Sequence, residues 1–170
     1  MSTIAIIGYR GSGKTSISEW IAECLDMPCI DADDRVLEHV GGSGQSEWDE
    51  EDEARWRKAE AEIVPSLLKE DAVVSMGGAS PMPEVVKEAL KQVSLVIHCI
   101  ADEQTTLARI EKGKDRPMTH AMLHADALQV RSERLEIYDS VATHELDSNG
   151  GLASVVPRIE ALLENRLQSE

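Results

Sequence analysis

Apolar residues along this chain alternate between two spacings, and the alternation predicts the elements. Short continuous runs, Ile4-Ala5-Ile6-Ile7 and Leu95 to Ile100 above all, have the length of strands covered on both faces. Between such runs the apolar residues recur at helical intervals. Ile17, Trp20, Ile21, Cys24 and Leu25 form one stripe, which Asp26-Met27-Pro28 stops. Cys29-Ile30-Asp31 reads as a short strand. A helix from about Asp33 to Val40 ends at Gly41-Gly42, and a longer one from about Trp48 to Leu68 turns Trp56, Ile63, Val64, Leu67 and Leu68 inward. Val73-Val74-Ser75-Met76 returns as a strand running into Gly77-Gly78, and Pro83 opens the next helix. Past the Leu95 run, helices are expected over about Asp102 to Glu111 and Ala125 to Ser140. The polar, cationic loop Lys112-Gly113-Lys114-Asp115-Arg116-Pro117 separates them. A weak strand near Thr143 to Leu146 precedes a last helical stripe of Val155, Ile159, Leu162, Leu163 and Leu167. Five strands with helices between them specify an α/β fold, a parallel doubly wound sheet whose ligands belong at the carboxyl ends of the strands.

The chemistry-bearing residues fall at those ends. Directly after the first run stands Gly8-Tyr9-Arg10-Gly11-Ser12-Gly13-Lys14-Thr15, a complete G-x-x-x-x-G-K-[ST]. Its glycines let the backbone turn successive N–H groups toward an anion, and the helix that follows adds its free N-terminal amides. Gly11, Ser12, Gly13, Lys14, Thr15 and Ser16 are therefore expected to hold nucleotide phosphates, with Lys14 on the β and γ groups and the Thr15 hydroxyl on magnesium. A Gly-rich turn that merely joins strand to helix is the plain alternative. Asp31 and Asp33 lie past the second strand, two apart and so on one side of an extended chain. One can hold a magnesium water and the other can orient an attacking hydroxyl, or Asp33 can simply cap its helix. Glu53, Arg57 and Glu60 share one face of the long helix. That row is either a surface ion-pair ladder or a guanidinium held still to present its fork to a planar anion.

Length and charge narrow the function. The 170 residues fit one domain, taken as 1–170, large enough to bury a core without staples. A net charge of -15 argues against a nucleic-acid partner, which would need a basic face. Arg10, Lys14, Arg57, Arg109, Arg116 and Arg134 are the candidates for a local positive cleft in this acidic body. Acidic residues from Glu47 to Glu53 read as a solvated helix face. Cys24, Cys29 and Cys99 form no C-x-x-C pair and sit in apolar segments, so small buried hydrophobes in a reducing compartment are expected. The first apolar run has no basic flank and breaks at Gly8, and no later stretch is long enough for a membrane, so the expected setting is cytoplasmic. His39, His98, His120, His124 and His144 lack metal-ligand spacing and are expected to be structural or surface residues.

From Ile4 to about Ala142 the chain resembles the shikimate kinases. The resemblance rests on the phosphate loop, Asp31-Ala32-Asp33, Glu53-x-x-x-Arg57-x-x-Glu60, Gly77-Gly78, Asp115-Arg116-Pro117 and Arg134-x-x-x-Tyr138, all in order. It implies the three-layer P-loop kinase fold, a five-stranded parallel sheet flanked by helices with substrate-binding helices over about residues 33–68 and a mobile lid over about 112–124. It also implies MgATP-dependent phosphorylation of the shikimate 3-hydroxyl by a monomer, with ATP and Mg2+ as cofactors. Asp33, Arg57, Gly77, Gly78 and Arg134 would hold shikimate. Arg116 would come from the lid onto phosphates and substrate, Arg109 would lie against adenine, and Asp31 would act through a magnesium water. Lys14, Asp33 and Arg116 would be the catalytic groups. Four positions depart from the family pattern: Ala79 for its third glycine, Asp52 where a glycine is usual, Trp56 for a phenylalanine, and Asp147 to Gly151 without the usual Arg and Pro beside adenine. The alternatives are another small-metabolite kinase of this fold, such as a gluconate kinase, and a non-catalytic shikimate or nucleotide sensor.

Overall fold

Ile4-Ala5-Ile6-Ile7, the run read as a strand covered on both faces, is the central strand of the sheet. The computed structural model describes residues 3–41, 50–112 and 127–167. Its elements are β1 (Ile4–Ile7), α1 (Lys14–Leu25), β2 (Cys29–Asp31), α2 (Ala32–Val40), α3 (Glu50–Leu67), β3 (Val73–Ser75), α4 (Glu84–Leu90), β4 (Leu95–Ile100), α5 (Glu103–Lys112), α6 (Ala127–Val141), β5 (His144–Asp147) and α7 (Leu152–Leu167). The five strands pair in parallel in the order β2-β3-β1-β4-β5. β1 thus lies where the chain, having wound to one side of the sheet, turns to the other after β3, which is where an open α/β sheet opens a crevice at its carboxyl edge.

Period-2 alternation sends neighbouring strand residues into different layers. Ile4, Ile6, Leu95, Ile97 and Cys99 pack against Ile17 and Ile21 of α1 and Val155 and Ile159 of α7. Ala5, Ile7, Val74 and Val96 face the other layer, built from Val36 of α2, Val64 and Leu67 of α3, Val86 and Leu90 of α4 and Tyr138 of α6. The helices run through two internal prolines, Pro65 in α3 and Pro157 in α7, because these buried stripes hold them.

One expectation is corrected. Only Cys99 is buried, while Cys24 and Cys29 are exposed. Cys24 sits where the stripe of α1 rolls out to solvent, and Cys29 opens the edge strand β2, which has a neighbour on one side only. Apart from Lys112, the expected lid and its Arg116 lie outside the described residues, as do Trp48, His120 and His124. Among the described residues, no helix is long and apolar enough to cross a membrane.

Candidate active site

Each strand delivers its chain to the same edge, and the phosphate loop after β1 forms the middle of that edge. Gly13 caps α1 in the left-handed region, φ 86° and ψ 15°, a conformation that costs other residues strain. The loop closes through the Ser12 N–H, which donates to the Tyr9 carbonyl at 3.1 Å, and Lys14 Nζ donates to the same carbonyl at 3.0 Å. Burial of the Lys14 ammonium lowers its pKa to about 8, against the opposing pull of Cys99 and the Asp33 and Asp31 carboxylates. Ser12 is buried and its Oγ has no hydrogen-bond partner. A buried orphan hydroxyl inside a loop of inward-turning amides fits a phosphate oxygen. Thr15 and Ser16 stand exposed on the first turn of α1.

Arg109 of α5 ties this loop to the one after β5. Its Nη1 donates to the Gly11 carbonyl at 3.1 Å, and its Nη2 donates to those of Ser148 at 2.7 Å and Gly150 at 2.8 Å. The short Asp147–Gly151 loop is further held by Ser148 Oγ on the Ile100 carbonyl at 3.1 Å and by the Asp102 N–H on Asn149 Oδ1 at 3.0 Å. Arg131 of α6 donates to the Ala101 carbonyl at 2.8 Å and lies 5.5 Å over the Tyr9 ring, while the Arg134 guanidinium lies 5.9 Å over the same ring.

On the other side of the phosphate loop, the turn after β3 is a hub. Gly77 approaches Asp33 so closely that a Cβ there would sit 2.2 Å from Asp33 Oδ1. Gly78 faces the backbone nitrogen of Arg10 and Arg134 Nη1, each 3.5 Å from where its Cβ would be. The Tyr138 hydroxyl donates to the Gly78 carbonyl. Burial pushes the Tyr138 pKa up, with the Arg134 and Arg57 cations working against it. Ser80 Oγ donates to Glu60 Oε1 at 2.7 Å, and Arg57 Nη1 donates to Glu60 Oε2 at 2.6 Å, with Glu53 3.5 Å from the other side of the guanidinium. Glu60 is 1% exposed. A buried carboxylate with two charge-assisted or hydroxyl partners is an anchor, so the Glu53–Arg57–Glu60 row is not a surface ladder at its Glu60 end. The turn therefore meets Asp33 from α2 and Arg134 from α6 at Gly77 and Gly78, and Arg57 from α3 is tied to it through Glu60 and Ser80.

One sequence expectation changes form here. The cap of α2 is Asp31 and not Asp33: Asp31 Oδ1 accepts from the Asp33 N–H at 2.9 Å and the Asp34 N–H at 3.2 Å. The reason is that α2 starts one residue earlier than its apolar pattern suggests, at Ala32. Spacing alone also passed over Tyr9, Ser80 and Ser148, which touch Lys14, Glu60 and Arg109, and Arg131, which packs on Tyr9. Tyr9 occupies an unconstrained position of the loop motif, and the other three act through contacts far apart in sequence, so periodicity carries no trace of them.

A parallel sheet whose central strand feeds a phosphate loop, with carboxylate and guanidinium groups gathered at the adjoining strand ends, defines a phosphate-loop small-molecule kinase. The shikimate kinase family model matches residues 10–164. The shikimate kinase of Pelotomaculum thermopropionicum is 31% identical over 151 residues, covering 87% of each chain. The crystal structure of shikimate kinase from Aquifex aeolicus matches with a TM-score of 0.78 at 26% identity, over 97% of this chain and 98% of that one. Shikimate kinase from Acinetobacter baumannii, in complex with shikimate, matches in fold with a TM-score of 0.81 at 24% identity, over 98% and 96%. The chain belongs to the shikimate kinase family.

Proposed function

We propose that this protein transfers the γ-phosphoryl group of MgATP to the 3-hydroxyl of shikimate. The observation that carries the reading is the approach of Asp33 and Arg134 to Gly77-Gly78, next to the phosphate loop, with Arg57 tied to the same turn through Glu60 and Ser80. Two guanidiniums suit the shikimate carboxylate, and Asp33 suits its ring hydroxyls. A gluconate-directed kinase would have no use for both arginines.

The chemistry asks more for positioning than for covalent help, because the transition state is loose. Asp33 aligns the 3-hydroxyl. As the hydroxyl oxygen bonds to the γ-phosphorus and the bond to the bridging oxygen breaks, the hydroxyl proton passes to the Asp33 carboxylate. Lys14 and the loop amides around Gly11, Ser12 and Gly13 stabilise the charge that moves onto the bridging oxygen. Thr15 Oγ1 and, through a water, Asp31 are the groups that would hold Mg2+, which supplies neutralisation of phosphate charge when bound. Asp31 suits this role because its capping bonds fix its carboxylate at the strand end. Arg109 braces the adenine side, and Arg116 is assigned to the lid that excludes water. The protein acts as a monomer in the cytoplasm.

A coupled ADP-release assay on shikimate, quinate and gluconate tests the proposal. Turnover on shikimate exceeding the other two is the expected result. Turnover on gluconate with none on shikimate, or no turnover with any alcohol, overturns it.

A further inference from the structure

His98 is a buried polar residue that the kinase cleft does not explain. β4 places it on the α6 face, 1% exposed, with its ring 5.0 Å from that of Tyr138 at 55°. Its Nδ1 is buried and makes no hydrogen bond. Such an orphan destabilises a native fold unless something meets it.

What it faces is acidic. Asp139 Oδ1 lies 3.5 Å from Nδ1. Glu145 is the register partner of His98 across the β4–β5 pair, so both point from the same face of the sheet. One ligand atom from each of the three residues lies within 4.8 Å of the others, the only such grouping among the described residues.

We propose that His98, Asp139 and Glu145 form a binding site for a divalent transition-metal ion of the zinc class, separate from the magnesium site of the phosphate loop. Bonds of about 2.0–2.2 Å to nitrogen and oxygen put tetrahedral ligands roughly 3.3–3.6 Å apart. The 3.5 Å contact between Nδ1 and Asp139 already has that spacing. Glu145, on an exposed and flexible side chain, closes the third position with little rearrangement. The imidazole selects zinc or cobalt(II) over magnesium, which prefers oxygen alone. The carboxylates match the ion's two positive charges, and their exposure provides an entry path and leaves a fourth position for water. The ion would fasten α6 to β4 and β5, and α6 carries Arg134 and Tyr138.

The test is titration of the full chain, stripped with chelator, in a Cys24→Ser/Cys29→Ser background that removes the two exposed thiols. Cobalt(II) binding is followed by visible absorption and zinc binding by calorimetry, each with magnesium present. Asp139→Asn and Glu145→Gln serve as the diagnostic variants, because both side chains are exposed and should leave folding intact, whereas replacing the buried His98 disturbs the core. The expected result is cobalt(II) bound with a nitrogen ligand in its spectrum, displaced by zinc but not by magnesium. Affinity should fall at least tenfold in each carboxylate variant, and zinc should raise the thermal midpoint of the parent but not of the variants. Unchanged affinity in both carboxylate variants, displacement by magnesium, or no binding overturns the proposal.

Discussion

Replacing Gly77 with alanine should damage the reaction while sparing the fold. A Cβ at this position would lie 2.2 Å from Asp33 Oδ1 and 2.9 Å from its Cγ and Oδ2. Carbon and oxygen rest no closer than about 3.3 Å, so the carboxylate must retreat by about 1 Å. The retreat is cheap for stability, because Gly77 has no left-handed backbone and Asp33 is a half-buried side chain on the first turn of α2. Reduced freedom of the unfolded chain offsets much of what remains, and the net change should stay within about 1 kcal/mol. For the reaction, misplacing an aligning group by about 1 Å costs on the order of 10²-fold, about 2.7 kcal/mol of barrier. Steady-state kinetics with shikimate should show that loss in kcat/KM, while calorimetric ADP affinity and the denaturation midpoint hold near the parent values. A Gly77→Ala enzyme within threefold of the parent kcat/KM would refute the role given to Asp33. A collapse of stability would refute the premise that the side chain, rather than the backbone, absorbs the clash.

For Arg57→Lys, an ammonium cannot reproduce the fork that Glu60 holds, and shikimate affinity by titration should fall by roughly 2 kcal/mol; unchanged affinity would remove Arg57 from the substrate. With its pKa lowered to about 8, Lys14 is less protonated in the folded chain than in the unfolded one between about pH 8 and the ordinary value of 10.5. The sign follows: stability without nucleotide should rise with pH across that window, and the burden of the buried charge is fully present below it. Bound phosphates restore the charge, so ADP binding at pH 8 should take up about half a proton, seen as a dependence of calorimetric enthalpy on buffer ionisation that Lys14→Met abolishes; no such dependence in the parent would contradict the burial of Lys14. Arg109→Ala removes bonds to the Gly11, Ser148 and Gly150 carbonyls, and the Kd for ADP should rise about tenfold, or about 1.4 kcal/mol. An unaltered Kd would show that the Asp147–Gly151 loop holds its shape without this brace.

The alternation of apolar runs and helical stripes determined the elements by itself, because each helix here buries one face and the central strands bury both, and either burial is written in local periodicity. All five strands and their order along the chain were legible, as were the phosphate loop and the Glu53–Arg57–Glu60 row, since a motif needs only neighbours in sequence. Local pattern misjudged what depends on the surroundings. Cys24 and Cys29 look apolar in sequence and face solvent, because a stripe shows that a side of a helix is apolar without showing how far its cover extends. The α2 cap moved to Asp31 for a related reason, since either aspartate satisfies the pattern and backbone geometry chooses between them. Only the tertiary structure could join Glu60 to Ser80, Arg109 to Gly11 and Ser148, and Tyr138 to Gly78. These contacts span 20 to 98 residues and come from the right-handed winding that brings α3, α5 and α6 to one strand edge. They turn an ion-pair row that sequence leaves ambiguous into an anchored guanidinium, because burying Glu60 is tolerable only when Arg57 and Ser80 meet it.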